Sequence, residues 1–440
     1  MTDPLQFPRS FTWGVATSAF QIEGAASADG KGPSIWDTFS HTPGKIIDGG
    51  TGDVACDHYH RYPEDVALMA SLHVDAYRFS IAWSRVQPAG SGAWNEAGFA
   101  FYEQLLDELD SKNIAAHVTL YHWDLPQGLQ DAGGWLNRDT AYRFADYAAE
   151  VARRFGSRVK TISTHNEPWC TANLGYGNAQ FAPGVADLKQ SIQVSHHLLL
   201  SHGLAMKAMR AVGSSAQLGI VLNQWTSDPA TDSQADRDLA AFEYSRSVEW
   251  FMDPIFKGHY PELALRAHGA NAPDVQDGDF DLIRQPIDFL GVNYYFRHYA
   301  SAETPPRQPE AKLGKTDMGW EIYPQGLTEL LVKLHGQYAL PPIYITENGM
   351  ANPDQVVDGQ VMDTQRIDFV QRHLAALLDA MRQGVNVQGY FLWSLLDNFE
   401  WNSGYAKRFG IVHVDYATQR RTPKASALWY REFIDGQRKG

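Results

Sequence analysis

Two glutamates stand out for the company they keep. In residues 159–168, VKTISTHNEP, an alternating β-branched run stops on Glu167, with His165 and Asn166 before it and Pro168 after it. The pattern returns at residues 345–349, ITENG, where Glu347 and Asn348 close a second such run. Proline disfavours the helical region for its predecessor, so the sequence predicts an extended Glu167 facing outward from the end of its strand. Two carboxyl groups set among amides and aromatic rings suit cleavage of a glycosidic bond. The transition state there is an oxocarbenium ion flanked by an acid and a second carboxylate. Amides read sugar hydroxyls, and tryptophan faces stack on the apolar face of a pyranose.

The neighbours divide the labour. Glu347 works ionised, as a nucleophile, with the Arg78 guanidinium and the Tyr295 hydroxyl available to favour its charged form. Glu167 must hold a proton for the leaving oxygen, and its neutral neighbours Asn166 and Trp169 let its pKa rise. Once Glu347 carries the sugar as an ester its charge is gone. Glu167 then loses its proton and becomes the base that activates water.

Strands must hold these residues, and eight are readable: 11–16, 76–83, 114–123, 159–166, 216–225, 287–295, 343–347 and 387–393. Each precedes a helix-spaced segment, at 59–72, 95–112, 139–155, 191–212, 235–256, 325–335, 364–382 and 423–433, with Asp139 as the expected N-cap of the third. No two-residue turn joins neighbouring strands, so every connection is a crossover and the sheet is parallel, with helices outside. Eight units close a (β/α)8 TIM barrel, read as one α/β catalytic domain over residues 1–440. Long loops follow the strands at 17–57, 170–188, 297–323 and 395–422. The strand ends carry Gln21, Arg78, His122 and Trp123, Asn166 and Glu167, then Asn223 and Trp225, Asn293 and Tyr295, Glu347, and Trp393. A barrel brings all of them to one mouth, and so many polar groups there are costly to desolvate without a ligand.

Composition excludes several partners. Acidic residues outnumber basic ones 51 to 37, a net charge of −14, which repels phosphate backbones and anionic membranes. No 18-residue apolar run is present, and residues 1–14 lack the order of a secretory signal, so a cytoplasmic protein is expected. Cys56 and Cys170 have no metal-ligand spacing and read as reduced thiols. Of the 16 histidines, His58, His60, His196 and His197 fall on helices or loops, away from the strand ends. No metal or other cofactor is called for, and the partner is a small-molecule β-glycoside; monomer and homo-oligomer both stay open.

THNEP at 164–168, ITENG at 345–349 and FTWGVATSAFQIEG at 11–24 together resemble the motifs of family 1 glycoside hydrolases, the β-glucosidases and their relatives. The resemblance spans nearly the whole chain. It implies a retaining mechanism with Glu347 as nucleophile and Glu167 as acid/base. It also implies that Gln21, His122, Asn166, Glu400 and Trp401 hold the glycone, with Asn166 at the 2-hydroxyl and Trp393 as the floor. Asn293, Tyr295 and Arg78 would support the nucleophile side, and a cis peptide would follow Trp393. Relatives acting on 6-phosphorylated sugars carry a serine and a cationic cluster where this chain has Glu400 and Trp401, so a non-phosphorylated sugar is expected. Glu400 would bridge the 4- and 6-hydroxyls of a glucoside, with galactosides and fucosides as alternatives. Trp123 is a supporting residue and, with Trp169, Asn223 and Trp320, a candidate for the leaving-group side, and whether water or a sugar alcohol takes the glycosyl group stays open.

Overall fold

A computed structural model describes residues 5–439. Its centre is a ring of short strands: β1 (Thr12–Ala16), β2 (Ala76–Ser80), β3 (Ala115–Tyr121), β4 (Thr161–Asn166), β5 (Gln217–Asn223), β6 (Phe289–Asn293), β7 (Ile343–Asn348) and β8 (Val387–Trp393). Each pairs in parallel with its sequence neighbours and β8 returns to β1, so the ring closes. The eight strands lie where the sequence predicts them; the first six are shorter than expected, β7 runs one residue further and β8 has the expected bounds. Nearly every residue in them is buried, as expected when side chains on one face fill the barrel and those on the other meet helices.

The apolar packing splits accordingly. A large cluster joins the outer strand faces to the helices, for instance through Phe99, Tyr102, Leu105 and Leu109 of the helix Glu96–Ser111. A small one fills the barrel with Tyr344, Phe391 and Trp393 among others. His117 packs inside against Phe391 (4.8 Å) and Tyr344 (5.6 Å), and burial drives its pKa down to about 3. It is therefore a neutral filler beneath the mouth.

Three local expectations are revised. The helix Asp139–Phe155 is not capped by Asp139, because Arg138 is already helical; the side chain of Asn137 accepts the Asp139 N–H instead (3.0 Å). The segment read as one helix over 235–256 is interrupted by a π turn at Ser245–Glu249. The loops also hold strands of their own: Val412–Asp415 pairs antiparallel with Arg420–Pro423, and Ser227–Pro229 pairs with His298–Ala300. These strands are too short for periodicity to reveal.

The loop after β8 is clamped by buried charge. Lys424 Nζ donates to Asp354 (2.5 Å) and Asp397 (2.7 Å), and Arg408 donates to the other Asp397 oxygen (2.7 Å). Removing one partner of such a set leaves the others unpaired in a dry interior, which is why it fixes the segment leading to Glu400 and Trp401. Among the described residues no helix is long and apolar enough to cross a membrane. Cys56 and Cys170 are both buried and unpaired.

Candidate active site

All eight strand ends open on one face, and a cavity of about 530 Å³ sits there. Glu167 and Glu347 both line it and are 6% and 3% exposed. Glu167 is not extended as Pro168 suggests: its φ is +50°. The pairing register of β4 with β5 shifts beyond Ser163, and the Glu167 N–H donates to the Val221 carbonyl (2.9 Å). Its own carbonyl accepts from Cys170 N–H (2.9 Å) as the chain turns into the π-helix Cys170–Gly177. Pro168 thus opens a helical segment, where its missing N–H costs nothing. Trp123 (φ +80°) and Trp401 (φ +49°) share this left-handed strain, about 1 to 3 kcal/mol each, which the surrounding packing must impose.

Glu347 is bonded through both oxygens. Arg78 Nη1 donates to Oε1 and the Tyr295 hydroxyl donates to Oε2, each at 2.7 Å. The same guanidinium donates through Nη2 to Asn166 Oδ1 (2.7 Å), so Arg78 ties β7 to β4 across the mouth. Gly349 completes the ITENG turn because the Trp393 carbonyl stands where its Cβ would be, only 1.8 Å away. The peptide after Trp393 is cis.

Glu167 has different neighbours from those the sequence suggests. Asn166 turns to Arg78 and His122, and the Trp169 indole does not reach the carboxyl. Glu167 instead accepts from Asn293 Nδ2 (2.7 Å) and from the Cys170 thiol (3.1 Å). Asn293 was expected on the nucleophile side; it stands between the two carboxyls, also holding that of Glu347 down. Burial, then the adjacent Glu347 charge, push Glu167 up to about 7. Burial lifts Glu347 as well, but Arg78 first and Tyr295 next oppose it. Of the pair, Glu347 alone is bonded to a guanidinium, so it ionises first.

One end of the cavity is walled by parallel rings. His122 lies 5.8 Å from Trp393 and 5.9 Å from Trp401, at 16° and 17° between planes. His122 Nε2 meets the Asn166 amide (3.1 Å), and burial keeps the imidazole neutral, which leaves its Nδ1–H as a free donor. Trp123 packs on Trp401 (4.5 Å) and donates to the Asn166 carbonyl (2.8 Å). Gln21 is fully buried behind Glu400, with Nε2 donating to Glu400 (3.3 Å) and Oε1 accepting from Ser18 (2.6 Å). Burial, then the charge of Glu347, push Glu400 up to about 8.

Trp169, Asn223 and Trp320 also line the cavity, with Trp320 5.5 Å from Tyr295. Of the residues singled out from sequence, Gln21, Arg78 and Asn166 stand behind the wall, bonded to Glu400, Glu347 and His122, and the others line the cavity. Cys170, Gln224, Ser247 and His298 were missed. Cys170 follows Glu167 by one turn, a signal that was available. Ser247 lies within the segment read as a helix and His298 within a segment read as a loop, and they come in through the π turn and the small second sheet.

The sequence profile described as "Glycosyl hydrolase family 1" matches residues 4–439. The chain belongs to glycosyl hydrolase family 1. Beta-glucosidase A of Acetivibrio thermocellus is 47% identical over 440 residues, covering 98% of each chain. A bifunctional beta-D-glucosidase/beta-D-fucosidase of Bifidobacterium breve is 45% identical, over 97% of this chain and 98% of its own. Beta-glucosidase from Thermotoga maritima in complex with glucoimidazole superposes with a TM-score of 0.96 at 45% identity, covering 98% of this chain and 99% of the other. Family 1 enzymes are retaining glycosidases, and two differently bonded carboxyls at the barrel mouth suit that chemistry.

Proposed function

We propose that this protein is a retaining β-glucosidase that removes terminal β-D-glucosyl units through a glycosyl ester on Glu347. The observation that carries the assignment is the asymmetry of the pair: Arg78 and Tyr295 bond Glu347, whereas Glu167 has only Asn293 and a thiol. Glu347 attacks the anomeric carbon while Glu167 gives its proton to the departing oxygen. Burial still raises the Glu167 pKa, but the ester removes the Glu347 charge that adds to it, so Glu167 stays ionised after giving up its proton and can next accept one from water, which attacks the same carbon and frees Glu347.

In this reading the glycone lies on Trp393, with His122, Asn166, Glu400 and Trp401 facing its hydroxyls and Gln21 bracing Glu400. Trp123 backs Trp401, and Asn293 orients both carboxyls. Glu400 brings no positive charge, and nearby Lys407 is held by Asp317 (2.9 Å), which supports a neutral rather than a phosphorylated sugar. The bifunctional relative supports fucosides as a second substrate class. Trp169, Asn223 and Trp320 face the leaving group. The two unpaired thiols suit a reducing compartment.

Replacing Glu347 with alanine should abolish turnover of a nitrophenyl β-glucoside, and azide should restore part of it as the α-glucosyl azide. Retained activity without azide would defeat the assignment. Glu167→Ala should slow substrates with poor leaving groups by about 10²- to 10⁴-fold and nitrophenyl glucosides far less, whereas equal losses would remove its acid role.

A further inference from the structure

Glu400 reaches the cavity from a tight turn rather than from the end of a strand. Among the described residues its carboxyl accepts one hydrogen bond, a long one from Gln21 (3.3 Å), so the backbone decides where it points. That backbone closes on itself. The Glu400 N–H donates to the Gly404 carbonyl (2.7 Å), the Ser403 N–H donates to the Glu400 carbonyl (2.9 Å), and Trp401 between them is left-handed. A tryptophan in that conformation persists only where contacts from elsewhere hold it. Aromatic rings grip its side chain on one side of the turn. The far side, at Gly404 and Tyr405, needs a holder of its own.

The loop after β1 supplies it, and Asp48 spans the gap. Its Oδ2 accepts the Tyr405 N–H (2.6 Å), and its Oδ1 accepts the Gly50 N–H (2.8 Å), which fixes the carboxylate at its own end as well. Bonds to an ionised acceptor are about twice as strong as neutral ones. Two further bonds run beside it: the Ile47 N–H donates to the Asn402 carbonyl (2.9 Å), and the Tyr405 hydroxyl donates to the Thr51 carbonyl (2.7 Å). Residues 47–51 thus form a strap across the turn, rooted in the core by the buried Ile46. The seat for the carboxylate exists only because residue 404 is glycine. A Cβ there would stand 1.9 Å from Asp48 Oδ1, and its φ of +60° with ψ of −129° suits glycine alone.

We propose that Asp48 is a positioning residue for sugar recognition: it holds the turn so that Glu400 meets the 4- and 6-hydroxyls of the glycone, and it thereby sets the preference for glucosides over sugars that lack the 6-hydroxyl. The inference rests on the β-glucosidase reading. Asp48 is exposed and does not line the cavity, so it touches no sugar and acts through the main chain. Because the bond to Tyr405 is exposed, water can replace the carboxylate when it is lost. Recognition should therefore suffer while the fold does not.

The test compares kcat/KM for nitrophenyl β-glucoside and nitrophenyl 6-deoxy-β-glucoside in the parent, Asp48→Ala and Asp48→Asn. The glucoside-to-6-deoxyglucoside ratio of the parent measures contact with the 6-hydroxyl. It should fall about tenfold in Asp48→Ala and by a smaller factor in Asp48→Asn, which keeps one acceptor oxygen, with melting temperatures close to the parent's. A ratio within about twofold of the parent's in both variants, which is what a merely structural role would give, would overturn the proposal. So would a parent that shows no preference for the glucoside. A parent that hydrolyses neither substrate would instead overturn the β-glucosidase reading.

Discussion

The two carboxyls should titrate as partners, and the clearest perturbation is Glu347→Gln. It removes the charge next to Glu167 but keeps the shape and the hydrogen-bonding sites. In the free enzyme Glu167 is pushed up to about 7 from an ordinary 4.5, a displacement worth roughly 3 kcal/mol at 1.36 kcal/mol per pH unit. Burial is the larger cause and Glu347 the second, while Asn293, Cys170 and Arg78 pull the other way. With the Glu347 charge gone, burial still lifts the group and those three still lower it. The Glu167 pKa should therefore drop by about one unit or more. Carboxyl carbon NMR on glutamate-labelled protein reads this directly, with the resonance assigned by its loss in Glu167→Gln. A Glu167 pKa that stays near 7 in Glu347→Gln would mean that Glu347 is uncharged in the resting enzyme, and the reasoning that divides the two roles would fall.

Because Glu167 must be protonated to attack a glucoside, kcat/KM should fall as pH rises through about 7, and a basic limb near 9 would contradict the acid assignment. Tyr295→Phe removes one of the bonds to Glu347 and should reduce kcat by about 10- to 100-fold with little change in melting temperature, which steady-state kinetics and calorimetry check together. Glu400 binds its proton more tightly folded (about 8) than unfolded (near 4.5), so it adds stability as pH falls through about 8 and that gain is complete below about 4.5. Glu400→Gln should accordingly flatten the dependence of unfolding free energy on pH between 5 and 8 by about 1 kcal/mol per unit, measured by denaturant titration. Lys424→Met leaves Asp354 and Asp397 short of a partner and should destabilise by about 3 kcal/mol, seen as a lower denaturation midpoint; an unchanged midpoint would show the buried set to be dispensable.

Most of the barrel was legible because its strands are buried on both faces and read as short apolar runs, each followed by a strongly periodic helix. The site was legible for a related reason: Glu167, Asn293 and Glu347 are polar residues stopping apolar runs, which burial makes expensive unless they meet at a ligand. What escaped was whatever depends on contacts between loops. The left-handed Glu167 could not be read from Pro168, since a local preference for extended backbone gives way to the bond with Val221 on the neighbouring strand β5. The partners of Glu167 were misread for the same reason. Asn166 is adjacent in sequence but turns to Arg78, while Asn293, more than a hundred residues away, makes the bond. Ser247 and His298 reach the cavity only through a π turn and a three-residue strand, features with no period to detect.

The central claim is that Glu347 forms the bond to the sugar. A 2-deoxy-2-fluoro-β-glucoside with a dinitrophenolate leaving group slows hydrolysis of the ester more than its formation, so the intermediate accumulates and can be mapped by mass spectrometry of peptides. The account predicts one fluoroglucosyl group on the peptide carrying Glu347, and its release on adding an acceptor sugar. A label on Glu167 or Glu400, or a parent enzyme that turns over the ordinary glucoside yet never accumulates a label, would contradict it.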